Sequence, residues 1–341
     1  MKNQRLIVCA KDIGAFNVTG PLAIMARDKS LDVHIVTEGK AAERFRKAGL
    51  DPDFKGTEDF KKEPFDFNAE LYLRRVGPSI VVVGTSSPAN LEITLGRAAN
   101  KLGYPVVECQ DIWRAHVRLP DVTPSLVLTV DEYAARLAEE DLSMPKDRVV
   151  IVGNPGAKRV VSSPRVNSLY GELLDRNVDV FYYAGAGSAT SEELRLLVAC
   201  LAKTRGTNAL VVGFHPKKVK EFGAEWRGLL SDVGGDGDIT EAEPGTGEEW
   251  SSIATTIAGF STLLTTAVYH FHPAIALRTP ATMASLKRQN ALEEIPQVVL
   301  GYAHEVSEPT DLSGLGYLYE GAKKILPYDS NVAWDAVRQL V

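Results

Sequence analysis

Cysteine is scarce in this chain. Cys9, Cys109 and Cys200 are its three, far apart and without a C-x-x-C pair. That spacing argues against a zinc or disulfide framework and suits reduced thiols in a cytoplasm. An excess of positive charge is missing too. The net charge of -6 speaks against broad binding to nucleic acid or to an anionic membrane surface. Long apolar runs are also lacking. "LIVCA" near the N-terminus is too short for the core of a signal peptide. Residues 251–277 hold no Asp, Glu, Lys or Arg, but they are rich in Ser and Thr and broken by Pro273. A membrane span needs about 20 predominantly apolar residues, so this stretch reads as a buried helix followed by a buried strand. There is no G-x-x-x-x-G-K-S/T phosphate loop and no G-x-S-x-G elbow, which lowers P-loop and serine-hydrolase chemistry. No repeat of 20–50 residues stands out.

What is present is an alternation. Short β-branched runs, "RLIVCA" (5–10), "DVHIVT" (32–37), "SIVVVG" (79–84), "PVVEC" (105–109), "LVLTV" (126–130) and "VVIVG" (149–153), alternate with helix-like stretches. That is the signature of a parallel α/β fold whose strands are covered on both faces. In "SSPANLEITLGRAANKLG", Ser87 is positioned to cap a helix, Pro88 to fill its first turn and Gly103 to end it. The pattern pauses over residues 153–168, then restarts with "VDVFYYAG" (178–185), "SEELRLLVACLAKT" and "NALVVG" (208–213). "QVVLG" (297–301) reads as a late strand, and the chain looks helical from about 314. With 341 residues, the expectation is two doubly wound Rossmann-like domains. The first is 1–160, on the acceptor side. The second is 161–341, on the nucleotide side, with terminal helices able to return to the first.

Ligands of open α/β sheets bind beyond the carboxyl ends of the strands, so the residues just after each strand carry the functional reading. In the second half, "YYAGAGSATSEEL" offers Gly185, Gly187 and Ser188 ahead of a helix whose free N–H groups favour an anion. "LVVGFHPKK" ends a strand on His215, with Lys217 close behind, a donor and a point charge for a phosphate. "IAGFSTLLTT" places Gly259 in a turn and Ser261 or Thr262 at the next helix start. Together these loops converge on one phosphate-sized target, although each has a plain reading as a turn or a cap. His270 and His272 would share one face of a strand, as a metal pair needs, but no third ligand lies nearby.

In the first half Asp12 follows the first strand, as a turn residue, a partner of Lys11, or a base for an acceptor hydroxyl. Gly14 opens the next helix. Ser86, Ser87 and Asn90 are acceptor-binding candidates at the second such edge, or simply the helix cap. "ECQDIWRAH" puts Gln110, Asp111, Trp113, Arg114 and His116 after a further strand, with Trp113 either stacking on a sugar or base or packed.

These motifs resemble the GT-B superfamily of nucleotide-sugar glycosyltransferases and the related non-hydrolysing UDP-N-acetylglucosamine 2-epimerases. "VVIVGNP" resembles the segment closing the N-terminal domain. "AGAGSATSEEL" resembles the loop opening the C-terminal one. "GFHPKK" followed by "GFST" resembles the His-Pro and Ser-Ser/Thr motifs of bacterial sialyl-, polysialyl- and glycerophosphate-transferring relatives. The resemblance implies two Rossmann-like domains facing a cleft and a nucleotide-sugar donor. It further implies metal-independent transfer without a cofactor, with Asp12 as base and His215 stabilising the leaving phosphate. It also suggests a role in surface-polysaccharide synthesis. An epimerase or hydrolase, or a binding protein without catalysis, stays open, as does homodimerisation. One departure is plain: "STLLTTAVYHF" lacks the carboxylate that usually holds the donor ribose.

Overall fold

A computed structural model describes residues 5–55, 68–155, 157, 179–185, 189–204, 208–214, 224–225, 228, 239–241 and 255–340. The chain forms two compact units, residues 1–155 with 326–341, and residues 156–325.

In the first unit, β1 (Arg5–Ala10), β2 (Asp32–Thr37), β3 (Phe54–Lys55), β4 (Ile80–Val83), β5 (Val106–Cys109), β6 (Leu126–Thr129) and β7 (Val149–Ile151) build a sheet. Its order is β3-β2-β1-β4-β5-β6-β7, and the pairings are parallel. The unbroken apolar runs follow from burial on both faces. Leu6, Val8 and Val82 belong to one apolar cluster, while their neighbours Ile7, Cys9, Val81 and Val83 belong to another. The helices are α1 (Ile13–Asp28), α2 (Gly39–Lys47), α3 (Ala69–Val76), α4 (Asn90–Leu102) and α5 (Glu132–Leu142). Residues of α1 and α2 join the first cluster, and those of α3 and α4 the second. The terminal helix Ser330–Val337 belongs to this unit. Its Trp334 and Val337 complete the cluster around Leu22 and Phe45, and Tyr328 Oη just before it donates to Val18 O at 2.8 Å.

In the second unit, β8 (Asp179–Gly185), β9 (Asn208–Phe214), β10 (Ile239–Glu241), β11 (Thr255–Ala258), β12 (Ala274–Leu277) and β13 (His304–Val306) form a second sheet, ordered β10-β9-β8-β11-β12-β13. Its described pairings are also parallel. The helices are α6 (Thr190–Leu201), α7 (Thr262–Tyr269), α8 (Pro280–Asn290), α9 (Pro296–Val299) and α10 (Tyr319–Ala322). Each sheet reverses its winding once, between β1 and β4 in the first unit and between β8 and β11 in the second. The carboxyl ends of those strands are the places where such sheets bind ligands.

Four local expectations are corrected. The 251–277 stretch contains strand, helix and strand, because β11 precedes α7. The late strand is β13, and Gln297–Val299 lie in α9, where Pro296 fills a first-turn position that suits its missing N–H. Ser87 does not cap α4. That helix starts at Asn90 behind Ala89 with no side-chain cap, and it ends where Gly103 takes the left-handed backbone, φ 72°. His270 and His272 do not share a strand, since His270 caps the C-terminus of α7 and β12 begins only at Ala274. Among the described residues no helix is long and apolar enough to cross a membrane.

Candidate active site

At the winding reversal of the first unit, the loops after β1, β4 and β5 meet. Asp12 caps α1, its Oδ1 accepting from Ala15 N at 2.9 Å. Its Oδ2 accepts the Ser87 N–H at 3.1 Å, which ties the β1 loop to the β4 loop. Ser86 Oγ accepts from Lys11 N at 3.2 Å and from Asp12 N at 3.1 Å. Lys11 itself turns to Glu38, with Nζ at 2.9 Å from Oε1 and both side chains buried.

Two further carboxyl groups complete the place. Glu92 on α4 is buried, and its Oε1 accepts from Lys11 N at 3.1 Å. Burial pushes its pKa up to about 7 against the hydrogen bond from Ser86 that favours the charged form. Asp111, after β5, accepts from Thr85 Oγ1 at 3.0 Å. Burial raises it to about 6. The Arg118 charge and the Thr85 bond hold it down, while the neighbouring Asp12 charge pushes it up. Arg118 is fixed by its own bond to Thr85 O at 3.0 Å. Gly14 is what lets Asp111 in. A side-chain carbon at that position would collide with Asp111 Oδ2 and sit 3.4 Å from Asp12 Oδ1. Asp12 and Asp111 therefore border one space beside the N-terminal turn of α1. A carboxyl group that titrates near neutrality and still reaches solvent can both take and give a proton.

The acceptor-side candidates fare differently. Ser86 is buried with its oxygen engaged. Trp113 is fully buried, with its indole N–H on Asp131 Oδ2 at 2.7 Å. It is a core residue with no face left for stacking, which corrects its assignment as a ligand platform. Ser87 and Asn90 are exposed at the rim. Gly14 serves as space for Asp111.

In the second unit, Gly185 ends β8. Gly187, Ser188, His215 and Lys217 lie outside the described residues. Ser261 caps α7, its Oγ accepting from Leu263 N at 3.2 Å, and Thr262 opens that helix. Between β8 and β11 stands a residue that sequence reasoning missed, Glu193 of α6. Its carboxylate accepts from Tyr183 Oη at 2.7 Å, Thr282 Oγ1 at 2.8 Å and Gly259 N at 3.2 Å. Burial raises its pKa, and the Tyr183 and Thr282 bonds offset part of that rise. Gly259 is glycine because a side chain would run into this carboxylate. Its neighbour Glu192 takes the free Ala281 N–H at the start of α8, at 3.0 Å.

The sequence matches no protein-family model, and no curated protein matches it. Solved structures do match over nearly the whole chain. A Listeria monocytogenes protein described as a UDP-N-acetylglucosamine 2-epimerase superposes with a TM-score of 0.70 at 11% identity, covering 99% of this chain and 97% of that one. The UDP-GlcNAc 2-epimerase of Methanocaldococcus jannaschii gives 0.64 at 15% identity, with 99% of each chain covered. That enzyme has also been solved with UDP-GlcNAc and UDP. A glycosyltransferase from Rickettsia africae gives 0.60 at 12% identity, covering 99% and 94%. The fold is GT-B. At these identities the likeness establishes the GT-B architecture, and the reaction has to be argued from the site.

Proposed function

We propose that this chain is an enzyme acting on a nucleotide-activated sugar, with Asp111 as the group that moves a proton. The observation that carries this reading is the placement of Asp111, half-buried against the start of α1, its carboxyl pushed up to about 6 and sharing its space with Asp12. The UDP and UDP-GlcNAc found in a similarly folded epimerase support the donor class. In sequence, "AGAGS" and "GFST", with His215 and Lys217, carry the kind of donors a diphosphate requires.

In glycosyl transfer, ionised Asp111 takes the acceptor hydroxyl proton as that oxygen attacks the anomeric carbon, and the nucleotide diphosphate leaves with the bonding electron pair. Asp12 fits a supporting role better than the base itself, because both its oxygens already accept backbone N–H groups. A second reading is epimerisation or hydrolysis of the nucleotide sugar. It is favoured by the presence of two carboxyl groups with raised pKa, Glu92 and Asp111, in one site. The roles in polysaccharide synthesis and in a cytoplasmic setting belong to the same proposal.

The test is incubation with a panel of UDP-, CMP-, CDP- and GDP-sugars, with and without acceptor glycans, followed by NMR. Release of the nucleotide that depends on acceptor supports transfer, and an epimer or free sugar without acceptor supports the second reading. Absence of turnover from every donor, or full turnover by Asp111→Asn, overturns the proposal.

A further inference from the structure

The segment that carries Asp111 is tied to both ends of one helix. At the start of α5, Asp131 accepts the Ala134 N–H on Oδ1 at 2.9 Å, capping the helix, and holds the Trp113 indole N–H on Oδ2 at 2.7 Å. Near its other end, Asp141 takes Arg114 in a two-pronged pair, Nε to Oδ2 at 2.6 Å and Nη2 to Oδ1 at 2.8 Å. The same Asp141 Oδ2 is 2.7 Å from His116 Nε2. An α-helix rises about 1.5 Å per residue, so α5 holds these two anchors a fixed distance apart.

Two details indicate that the ties set geometry. Arg114 has φ 54° and ψ 31°, the left-handed region that a non-glycine residue seldom occupies without being held there. From that backbone position its guanidinium makes the two-pronged pair with Asp141. His116 is fixed from both sides, because Gln110 Nε2 lies 3.3 Å from its Nδ1 and also donates to Glu108 Oε1 at 2.8 Å. An amide nitrogen can only donate, so His116 Nδ1 accepts and its Nε2–H points to Asp141. Burial lowers the His116 pKa, against the pull of Asp141, in keeping with this neutral form. Asp111 sits between Gln110 and Trp113, and Arg118 closes the same segment on Thr85.

We propose that α5 is a brace whose terminal carboxylates, Asp131 and Asp141, position Asp111 against the start of α1 through Trp113, Arg114 and His116. Asp141, Arg114 and His116 are then positioning residues, and that role rests on the reading of Asp111 as the proton-transfer group.

The brace can be tested without substrate. In full-length protein labelled with ¹³C at aspartate, the Asp111 carboxyl signal is the one lost in Asp111→Asn. Its midpoint is expected near 6 in the parent protein, where burial outweighs Arg118 and Thr85. Loosening the brace exposes the carboxyl group, so Asp141→Asn and Arg114→Gln should lower that midpoint by a unit or more at unchanged circular dichroism. Asp141→Glu should recover part of the shift. Arg97→Gln, which removes a surface pair with Asp121, should leave it unmoved. If Asp141→Asn does not fold, Arg114→Gln decides, since its site is partly exposed. A folded brace variant with the Asp111 midpoint unchanged overturns the proposal. Failure of the catalytic reading would show separately, as full turnover by Asp111→Asn.

Discussion

Gly14 and the Asp111 carboxylate occupy adjoining space so closely that a methyl group on residue 14 would collide with Oδ2. Gly14→Ala should therefore swing Asp111 away from Thr85. The lost neutral-to-charged hydrogen bond costs about 1.5–3 kcal/mol of stability. Turnover should fall at least about tenfold, which is about 1.4 kcal/mol in the barrier. Steady-state kinetics beside a thermal melt will show whether activity falls further than stability.

The titration of Asp111 sets a pH dependence. Its carboxyl group is raised to about 6, so the ionised form dominates only above that value. With Asp111 as base, kcat/KM should rise through pH 6 and level off above it. A profile that instead falls through pH 6 would assign Asp111 as the acid. Asp111→Asn should abolish the limb altogether.

Glu108 gives the first unit a stability that declines with pH. It is buried in β5 and donated to by Gln110, and burial raises it from 4.5 to about 7. Between those values the folded state holds a proton that the unfolded state has released, so stability falls as pH rises and the deficit is complete above about 7. Glu108→Gln can still accept from Gln110 without the charge. It should add about 1–3 kcal/mol at pH 8 and almost nothing at pH 4, as read by urea denaturation at both values.

Glu193 holds three donors at the winding reversal of the second unit. Glu193→Ala leaves the buried Tyr183 and Thr282 hydroxyls and the Gly259 N–H without it. A cost of about 3 kcal/mol is expected from stranding such groups. Glu193→Gln keeps one acceptor oxygen and should cost less. Chemical denaturation of the two variants will give the order.

Trp334 anchors the terminal helix in the first unit's core at 6% exposure. Trp334→Ala should destabilise that unit by about 3–5 kcal/mol, the usual cost of emptying such a site. Hydrogen exchange should show the loss in α1 and β1.

The strands were legible because parallel sheets covered on both faces need unbroken apolar runs, and "LIVCA" and "IVVV" are such runs. Gly103 as a helix stop and Ser261 as a cap were equally local, since one residue's backbone or hydroxyl suffices for each. Where local grammar was ambiguous, the reading slipped. "QVV" is as good in a short helix behind Pro296 as in a strand, and β13, with one buried residue in three, has no apolar run to announce it. The sequence by itself thus determined the β–α alternation, the two sheets and the strand ends where chemistry could sit. Only the tertiary structure decided which acids are buried and what they touch. Glu92, Glu193 and Asp111 look like ordinary polar residues in sequence, and their raised pKa values come from neighbours brought by other loops. Trp113 went to the core for the same reason, because its partner Asp131 lies on the next helix, beyond the reach of any local pattern.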